Sequence, residues 1–226
     1  MHPFYEYILE HAGLETILMQ KHISIPTPAE KEAVTPELDH LKAQVHQCTR
    51  CPLHAGKTNY VFGEGNPHAQ LMFIGEGPGQ DEDLSGRPFV GRAGQLLTKI
   101  ISAMKLERKD VYIANIVKCR PPNNRAPLPE EAHTCMPYLK TQIKLIAPKI
   151  IVLLGATATS YMLGQKVPIS KIRGQWTELT LDTGDNATHF KTMPTFHPAA
   201  LLRNPNLKKD VWEDMKQVMG ALGLPI

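Results

Sequence analysis

The chain has 226 residues, of which 42% are hydrophobic and 21% are charged, the composition of an ordinary globular protein with a sizeable core. The formal net charge is only +3, but residues 1–47 balance to −4 and the remainder to +7, so the main part of the chain suits a polyanionic partner. No apolar run approaches the ~20 residues of a membrane span, and the N-terminus lacks a signal-peptide core, so we expect a cytoplasmic protein that does not contact a membrane.

The first forty residues predict an extension that precedes the main domain. Tyr5 to Met19 forms a short amphipathic segment, and a link that contains prolines follows it. We therefore predict an N-terminal helical extension and linker over residues 1–40 and a main domain over residues 41–226. Across the boundary between the two, the pattern of Leu38 to Val45 predicts a short helix that leads into the first cysteine.

From Ala69 onward, strand patterns alternate with helix patterns. Strands are predicted at Gln70–Ile74, Val111–Val117, Ile150–Leu154 and Lys191–Phe196, with a further strand or hairpin arm at Trp176–Leu181. Helices are predicted around Leu96–Met104, from Glu130 to about Ile146, from Gly155 to about Leu163, and at Leu207–Met219. This alternation predicts an α/β fold, a three-layer α/β/α sandwich with a central, mostly parallel sheet of about four strands.

The loop after the first strand is long, rich in glycine and acidic. It runs from Ile74 to Gly94 and contains six glycines and three consecutive acids, Asp81 to Asp83. Loops of this length inside compact domains are usually functional or disordered, and ligands of α/β sheets bind at the carboxyl ends of strands. We expect this loop to meet the loops Asn115–Arg125 and His197–Pro205 at one edge of the sheet and to form a site there.

Four cysteines predict a metal site. They occur as Cys48-x2-Cys51, followed by Cys119 and, after 15 intervening residues, Cys135. Cytosolic thiols stay reduced, so a disulfide framework is the weaker interpretation. Zinc and an iron–sulfur cluster are both compatible with four thiolates, although the second pair is spaced too widely for a standard zinc knuckle or ribbon.

The last of the three loops carries polar and apolar residues that suit a nucleic-acid contact. His197 directly follows a strand, which positions it to donate a hydrogen bond into the site. Leu201 and Leu202, if exposed, are wedges of the kind that enter a base stack, and Arg203 can pair with a phosphate. The alternative interpretation is a helix cap followed by two core leucines.

These motifs together resemble family 4 uracil-DNA glycosylase. The similarity covers about residues 45–220 and lies in GEGPG at 75–79, GRPFVG at 86–91, NIVKCRPP at 115–122, and His197-Pro198 with Leu201-Leu202-Arg203. The resemblance implies removal of uracil from DNA and a [4Fe–4S] cluster held by Cys48, Cys51, Cys119 and Cys135. It also implies that uracil is bound by Glu76, Gly77, Phe89, Asn115 and His197.

The chemistry of these side chains agrees with what the resemblance implies. A base inside a duplex must be flipped out before its glycosidic bond is reached. Phe89 offers an apolar face for stacking, Asn115 offers a donor and an acceptor for the O4 and N3–H edge of uracil, and His197 can stabilise the departing uracil anion.

The residue that activates water is less clear from the sequence. Gly77 stands where the best-known uracil-DNA glycosylases carry an aspartate, which fits family 4 and leaves the general base open. Glu76 is the first candidate, ahead of Asp81, Glu82 and Asp83, whose acidic run is equally compatible with capping a helix. The stretch Val167–Gly174 lacks the histidine of the covalent-trapping branch of these relatives, so we expect a turnover hydrolase.

Other expectations concern DNA and assembly. We expect the cluster to be structural and to steady Lys118, Arg120 and Arg125 for phosphate contact. The partner is then uracil-containing DNA, and nothing in the sequence demands more than a monomer. The main alternative is a non-catalytic iron–sulfur DNA-binding module of a replication or repair assembly. A phosphate-ester hydrolase is a weaker alternative, since no second cluster of carboxylates or histidines supplies a site for two metal ions.

Overall fold

Four parallel strands form the centre of a six-stranded sheet in the computed structural model, which describes residues 36–182 and 187–226. The strands are β1 (Glu64–Gly65), β2 (Leu71–Gly75), β3 (Tyr112–Asn115), β4 (Ile150–Leu154), β5 (Thr177–Asp182) and β6 (Ala187–Thr195). Their order is β1-β3-β2-β4-β6-β5, and β3, β2, β4 and β6 run parallel. The expected four-stranded sheet is thus extended by two antiparallel edge strands, β1 and β5.

The helices predicted from Leu38 onward are present, and short ones occur inside the loops. They are α1 (Pro36–His46), α2 (Leu53–Gly56), α3 (Gln80–Ser85), α4 (Arg92–Ala103), α5 (Pro129–Ile146), α6 (Gly155–Leu163), α7 (Ile169–Ile172), α8 (Pro198–Arg203) and α9 (Leu207–Leu222), with a 3₁₀ turn at Pro122–Asn124. None of the helices in the described ranges is long and apolar enough to cross a bilayer. The predicted segment Tyr5–Met19 lies outside those ranges.

Alternating side chains of the central strands bury both faces of the sheet. In β2, Met72 and Ile74 enter one core with α1, α5 and α6, while Leu71 and Phe73 enter the other with α4 and α9. All five residues of this strand are buried. A strand that is covered on both faces is characteristic of parallel sheets, and the predicted three-layer arrangement is confirmed.

Helix α1 belongs to the core of the main domain. Within the described residues it extends from Pro36 to His46, and it buries Leu38, Leu41 and Val45 against the layer that contains α5. The predicted helix at Leu38–Val45 is confirmed, but the predicted division between residues 40 and 41 falls inside it. The packed part of the chain therefore begins before residue 41.

Candidate active site

A cavity of about 670 Å³ opens at the carboxyl ends of the four parallel strands. Gly75 and Asn115 end β2 and β3 side by side in register, and Leu154 ends β4 beside the end of β6. The cavity is lined by residues of all three loops expected to meet there, including Glu76, Gly77, Phe89, Asn115, His197 and Arg203. The predicted convergence of these loops is confirmed, because right-handed crossovers bring the ends of parallel strands to one edge.

Asn115 presents an unsatisfied oxygen to this cavity. Its side chain is 1% exposed, and its Oδ1 is the one buried side-chain nitrogen or oxygen of the described residues that has no hydrogen-bond partner. A Cβ at Gly75 would lie 2.6 Å from this oxygen, so only glycine leaves room for the amide. Buried polar atoms are rarely left unpaired, and such an atom in a cavity indicates a ligand that donates to it.

Phe89 forms a wall of the same cavity in an unusual backbone conformation. Its ring is buried, and its φ of 53° lies in the left-handed region, which residues other than glycine seldom adopt. A Cβ at Gly94 would lie 1.9 Å from the Phe89 carbonyl carbon, so glycine is required where the backbone of α4 meets this turn. The fold therefore enforces a local conformation that aims the ring at the cavity.

Arg108 holds the turn that carries Phe89. Its guanidinium donates hydrogen bonds to the carbonyl oxygens of Phe89 (2.9 Å) and Pro88 (2.7 Å). It also forms an ion pair with Glu64 at 2.6 Å. Sequence analysis missed Arg108 because it lies 19 residues beyond Phe89 and belongs to no motif.

His197 lies opposite Phe89, with the two ring centroids 5.6 Å apart. It caps α8, and the backbone N–H of Ala199 donates to its Nδ1 at 3.2 Å. Burial lowers the pKa of His197 to about 4, and the positive charge of Arg203 acts in the same direction. At neutral pH the ring is therefore uncharged, and because Nδ1 accepts, Nε2 carries the proton.

The carboxylates near the cavity are of two kinds: some accept hydrogen bonds that hold the fold together, and one accepts none within the described residues. Glu82 accepts hydrogen bonds from the backbone N–H groups of Gly79, Val90 and Gly91, at 3.0, 2.8 and 2.9 Å. It therefore caps α3 and fastens the Phe89 loop, as the capping interpretation predicted. Glu76 lines the cavity, and its carboxylate accepts no hydrogen bond within the described residues.

Asp83 is also structural. It is 3% exposed and accepts hydrogen bonds from the backbone N–H groups of Thr58 (2.8 Å) and Asn59 (3.3 Å). Asp81 is exposed and is not among the residues that line the cavity. Of the four acids that the sequence offered, Glu76 is thus the one with free lone pairs facing the cavity.

Comparison with known proteins identifies the family. Residues 62–216 match the Uracil DNA glycosylase superfamily, which is more than half of the chain. The chain belongs to this superfamily.

Within the superfamily, the chain is similar to several proteins named type-4 uracil-DNA glycosylase. The relative from Thermotoga maritima is 49% identical over 80% of this chain and 92% of its own length. The relative from Sulfurisphaera tokodaii is 47% identical over 80% of this chain and 83% of its own. A type-5 uracil-DNA glycosylase from Pyrobaculum aerophilum is only 29% identical, over 69% of this chain and 71% of its own, so the resemblance to family 4 is confirmed.

The four cysteines of this superfamily member lie around one small pocket. Cys119 and Cys135 are buried, whereas Cys48 and Cys51 are partly exposed. Burial raises the pKa of the Cys119 thiol to about 12, and the neighbouring Cys135 adds to the shift. The described residues contain no group of three or more side chains arranged for a single metal ion. The four cysteines are among the residues that line this pocket.

Two of the residues expected to contact DNA are buried. Leu201 is 0% exposed and packs in the core with α4 and α9, so the prediction that it forms a wedge is wrong. Lys118 is 1% exposed, and its Nζ donates to the Asn115 carbonyl oxygen (3.0 Å) and to Gln142 Oε1 (2.6 Å). The prediction that Lys118 contacts a phosphate is therefore also wrong, since its hydrogen bonds point inward.

The other basic and apolar residues remain near the surface. Leu202 is 40% exposed, and Arg203 is exposed at the rim of the cavity. Arg120 is partly exposed and donates to Asn124 Oδ1 at 2.7 Å. Arg125 forms an ion pair with Glu131 at 2.7 Å, which reduces its availability for a phosphate.

Proposed function

We propose that this chain flips uracil out of DNA and hydrolyses its N-glycosidic bond, leaving an abasic site for base excision repair. The observation that carries the proposal is the unpaired Oδ1 of Asn115, which lies in a cavity walled by Phe89 and His197. Membership of the superfamily and the names of the type-4 relatives support the same function.

Asn115 distinguishes uracil from cytosine in this proposal. The N3–H of uracil donates to Oδ1, and the amide Nδ2 donates to O4. Cytosine carries an acceptor at N3 and a donor at C4, so both contacts fail and a buried group stays unpaired at a cost of about 1–3 kcal/mol. Stacking on Phe89 contributes a further ~1–3 kcal/mol that does not depend on the base. Glu76 and Gly77 complete the wall around the base.

His197 and Glu76 perform the chemistry. As the bond between C1′ and N1 breaks, its electron pair moves to the uracil ring, and the Nε2–H of His197 donates to the developing charge at O2. The sugar becomes an oxocarbenium ion. The free carboxylate of Glu76 orients a water molecule toward C1′ and accepts its proton.

Exposed or partly exposed residues on the loops that form the cavity contact the DNA. Leu202 enters the base stack left by the flipped nucleotide, and Arg203 and Arg120 pair with phosphates. Because Leu201 is buried, it anchors α8 to the core and thereby presents its neighbour Leu202.

A [4Fe–4S] cluster on Cys48, Cys51, Cys119 and Cys135 fits the cysteine pocket. A zinc ion needs four sulfurs about 2.3 Å from one point, whereas a cluster fills a space between thiolates, and here the thiols line a common pocket. The backbone N–H of Lys118 donates to Cys135 Sγ at 3.3 Å, a contact that also suits a thiolate ligand. A bound cluster would join three separate segments, and its thiolates suit the reducing cytoplasm.

The proposal is tested by excision from a labelled duplex with one uracil, read as alkali-labile strand breaks. We expect breaks with uracil and none with thymine in its place. His197→Ala should lower kcat by about 10²–10³-fold, the usual effect of removing such a donor, while DNA affinity stays within a few-fold. Binding without any breaks by iron-loaded protein would contradict the proposal and favour a non-catalytic DNA-binding module.

A further inference from the structure

A second cleft, of about 410 Å³, lies beside α3 and is lined by basic and aromatic side chains. We define this basic cleft by Lys42, His46, Lys57, Tyr60 and Arg87. Lys42 and His46 are four residues apart on α1 and so lie on the same face of that helix. The cleft is separate from the uracil cavity, and no motif of the sequence pointed to it.

The positive charge of the basic cleft is only partly neutralised by the residues that the structure describes. In the described residues, neither Lys42 nor Lys57 forms an ion pair with a carboxylate. The one acid that lines the cleft, Glu64, is already shared by Arg87 and Arg108, at 2.7 and 2.6 Å. Two cations without counter-charges on one concave surface, Lys42 and Lys57, form a favourable site for an anion.

Two aromatic rings, those of His46 and Tyr60, also line the basic cleft. The rings of His46 and Tyr60 stack with centroids 5.8 Å apart, and the Lys57 ammonium lies 3.9 Å from the centroid of Tyr60. The Tyr60 hydroxyl donates to the Cys48 carbonyl oxygen at 2.7 Å, which fixes the ring. Cations that alternate with flat rings are the usual composition of surfaces that follow a nucleic-acid strand.

The position of the basic cleft connects it to the uracil cavity. Gly79 and Glu82, at the start of α3, line the cavity, whereas Gly86 and Arg87, just after its end, line the cleft. A helix of six residues is about 9 Å long, so the two sites are separated by only a few nucleotides of a DNA strand. Asp83 holds α3 to the cleft wall through the backbone of Thr58 and Asn59.

We propose that the basic cleft binds backbone phosphates of the DNA strand that flanks the flipped uracil, with Lys42 and Lys57 as its main contacts. This inference rests on the proposed function for the choice of DNA as the ligand. The contacts are sequence-independent, because phosphates carry no base information.

The test is the salt dependence of binding to an undamaged duplex, compared between the full chain and the double variant Lys42→Gln, Lys57→Gln. Each phosphate contact contributes about 0.9 to the slope of log K against log salt concentration, so we expect the slope to fall by about 1.8. The matched control is Lys140→Gln, Lys149→Gln, which removes two exposed charges, one from the second half of α5 and one directly before β4, and should leave the slope unchanged, because neither residue lines the cleft.

Two further measurements, of iron content and of uracil excision, distinguish the possible outcomes. Iron content should be the same in both double variants, whereas its loss only in the cleft variant would mean that these lysines serve the cysteine site and would overturn the proposal. An unchanged slope would also overturn it. Uracil excision by the unaltered chain is measured in parallel, so a failure of the proposed function is recognised independently of the slope.

Discussion

Asn115 is the residue on which the proposed recognition of uracil depends most. Its amide oxygen is buried without a partner, although a strand end normally satisfies its polar atoms. The sequence predicted Asn115 as a uracil contact because it follows an apolar strand and belongs to a recognisable motif. It could not predict the unpaired oxygen, because that depends on how closely Gly75 and Phe89 approach it.

We expect Asn115→Leu to lower kcat/KM for uracil by at least about 10²-fold while leaving the unfolding midpoint equal or higher. The substitution keeps the number and branching of the side-chain heavy atoms and removes a buried unpaired oxygen without orphaning a partner, so no desolvation cost is added. Excision kinetics and thermal unfolding of the same preparation measure both effects. A midpoint lowered by several degrees would show that the amide has a structural partner after all.

His197 makes the stability of the protein depend on pH. Its pKa is about 4 in the folded protein and ordinarily 6.5, so between these values the unfolded chain binds a proton that the folded chain does not. Stability from this group is therefore complete above pH 6.5 and is lost as the pH falls, by about 2 kcal/mol at pH 5. Urea unfolding at pH 8 and pH 5 should show a smaller loss for His197→Gln than for the unaltered chain. Equal losses would contradict the lowered pKa.

At the scale of elements, the apolar strands and long helices were predictable, and the short elements were not. The four buried parallel strands carry continuous apolar runs, and α5 starts as its acidic first turn predicts. By contrast, β1 has two residues, too few to leave a pattern. Helix α3 has an exposed Leu84 and no apolar face, and it is held by the contacts of Glu82 and Asp83 with other segments.

The loop that carries Phe89 depends on a tertiary clamp, and we expect its removal to weaken uracil binding. Arg108→Met deletes the hydrogen bonds to the carbonyl oxygens of Phe89 and Pro88. The ring then loses its fixed position. Because each lost hydrogen bond costs ~1 kcal/mol or more, the inhibition constant of free uracil should rise about tenfold or more. Lys109→Met, at the next and exposed residue, should leave it unchanged. An unaltered inhibition constant in Arg108→Met would exclude the clamp.

At the scale of the whole molecule, the cysteine pocket joins segments that are far apart in the sequence. Cys48 and Cys51 lie between α1 and α2, Cys119 follows β3, and Cys135 lies in α5. The sequence predicted four metal-binding thiols from their spacing, and the pocket brings them together. The prediction that Lys118 contacts a phosphate was wrong because its position in the motif did not reveal that its ammonium donates a hydrogen bond to Gln142 on α5.

We expect Cys135→Ser to reduce the iron content and to lower the free energy of unfolding by at least about 2 kcal/mol, as when a cross-link between distant segments is lost. Iron is determined chemically, and unfolding is followed in urea. Thr134→Ser, at the neighbouring position that also lines the pocket, is the control and should retain both properties. Full iron content in Cys135→Ser would remove Cys135 from the set of ligands.

The most direct test of the whole account is the release of free base from three duplexes that differ only in having uracil, cytosine or thymine at one position. The account predicts release of uracil alone, because among these bases only uracil combines an N3–H donor and an O4 acceptor for Asn115 with the lack of a C5 methyl group. Release of no base by iron-loaded protein, or release of cytosine as fast as uracil, would contradict it.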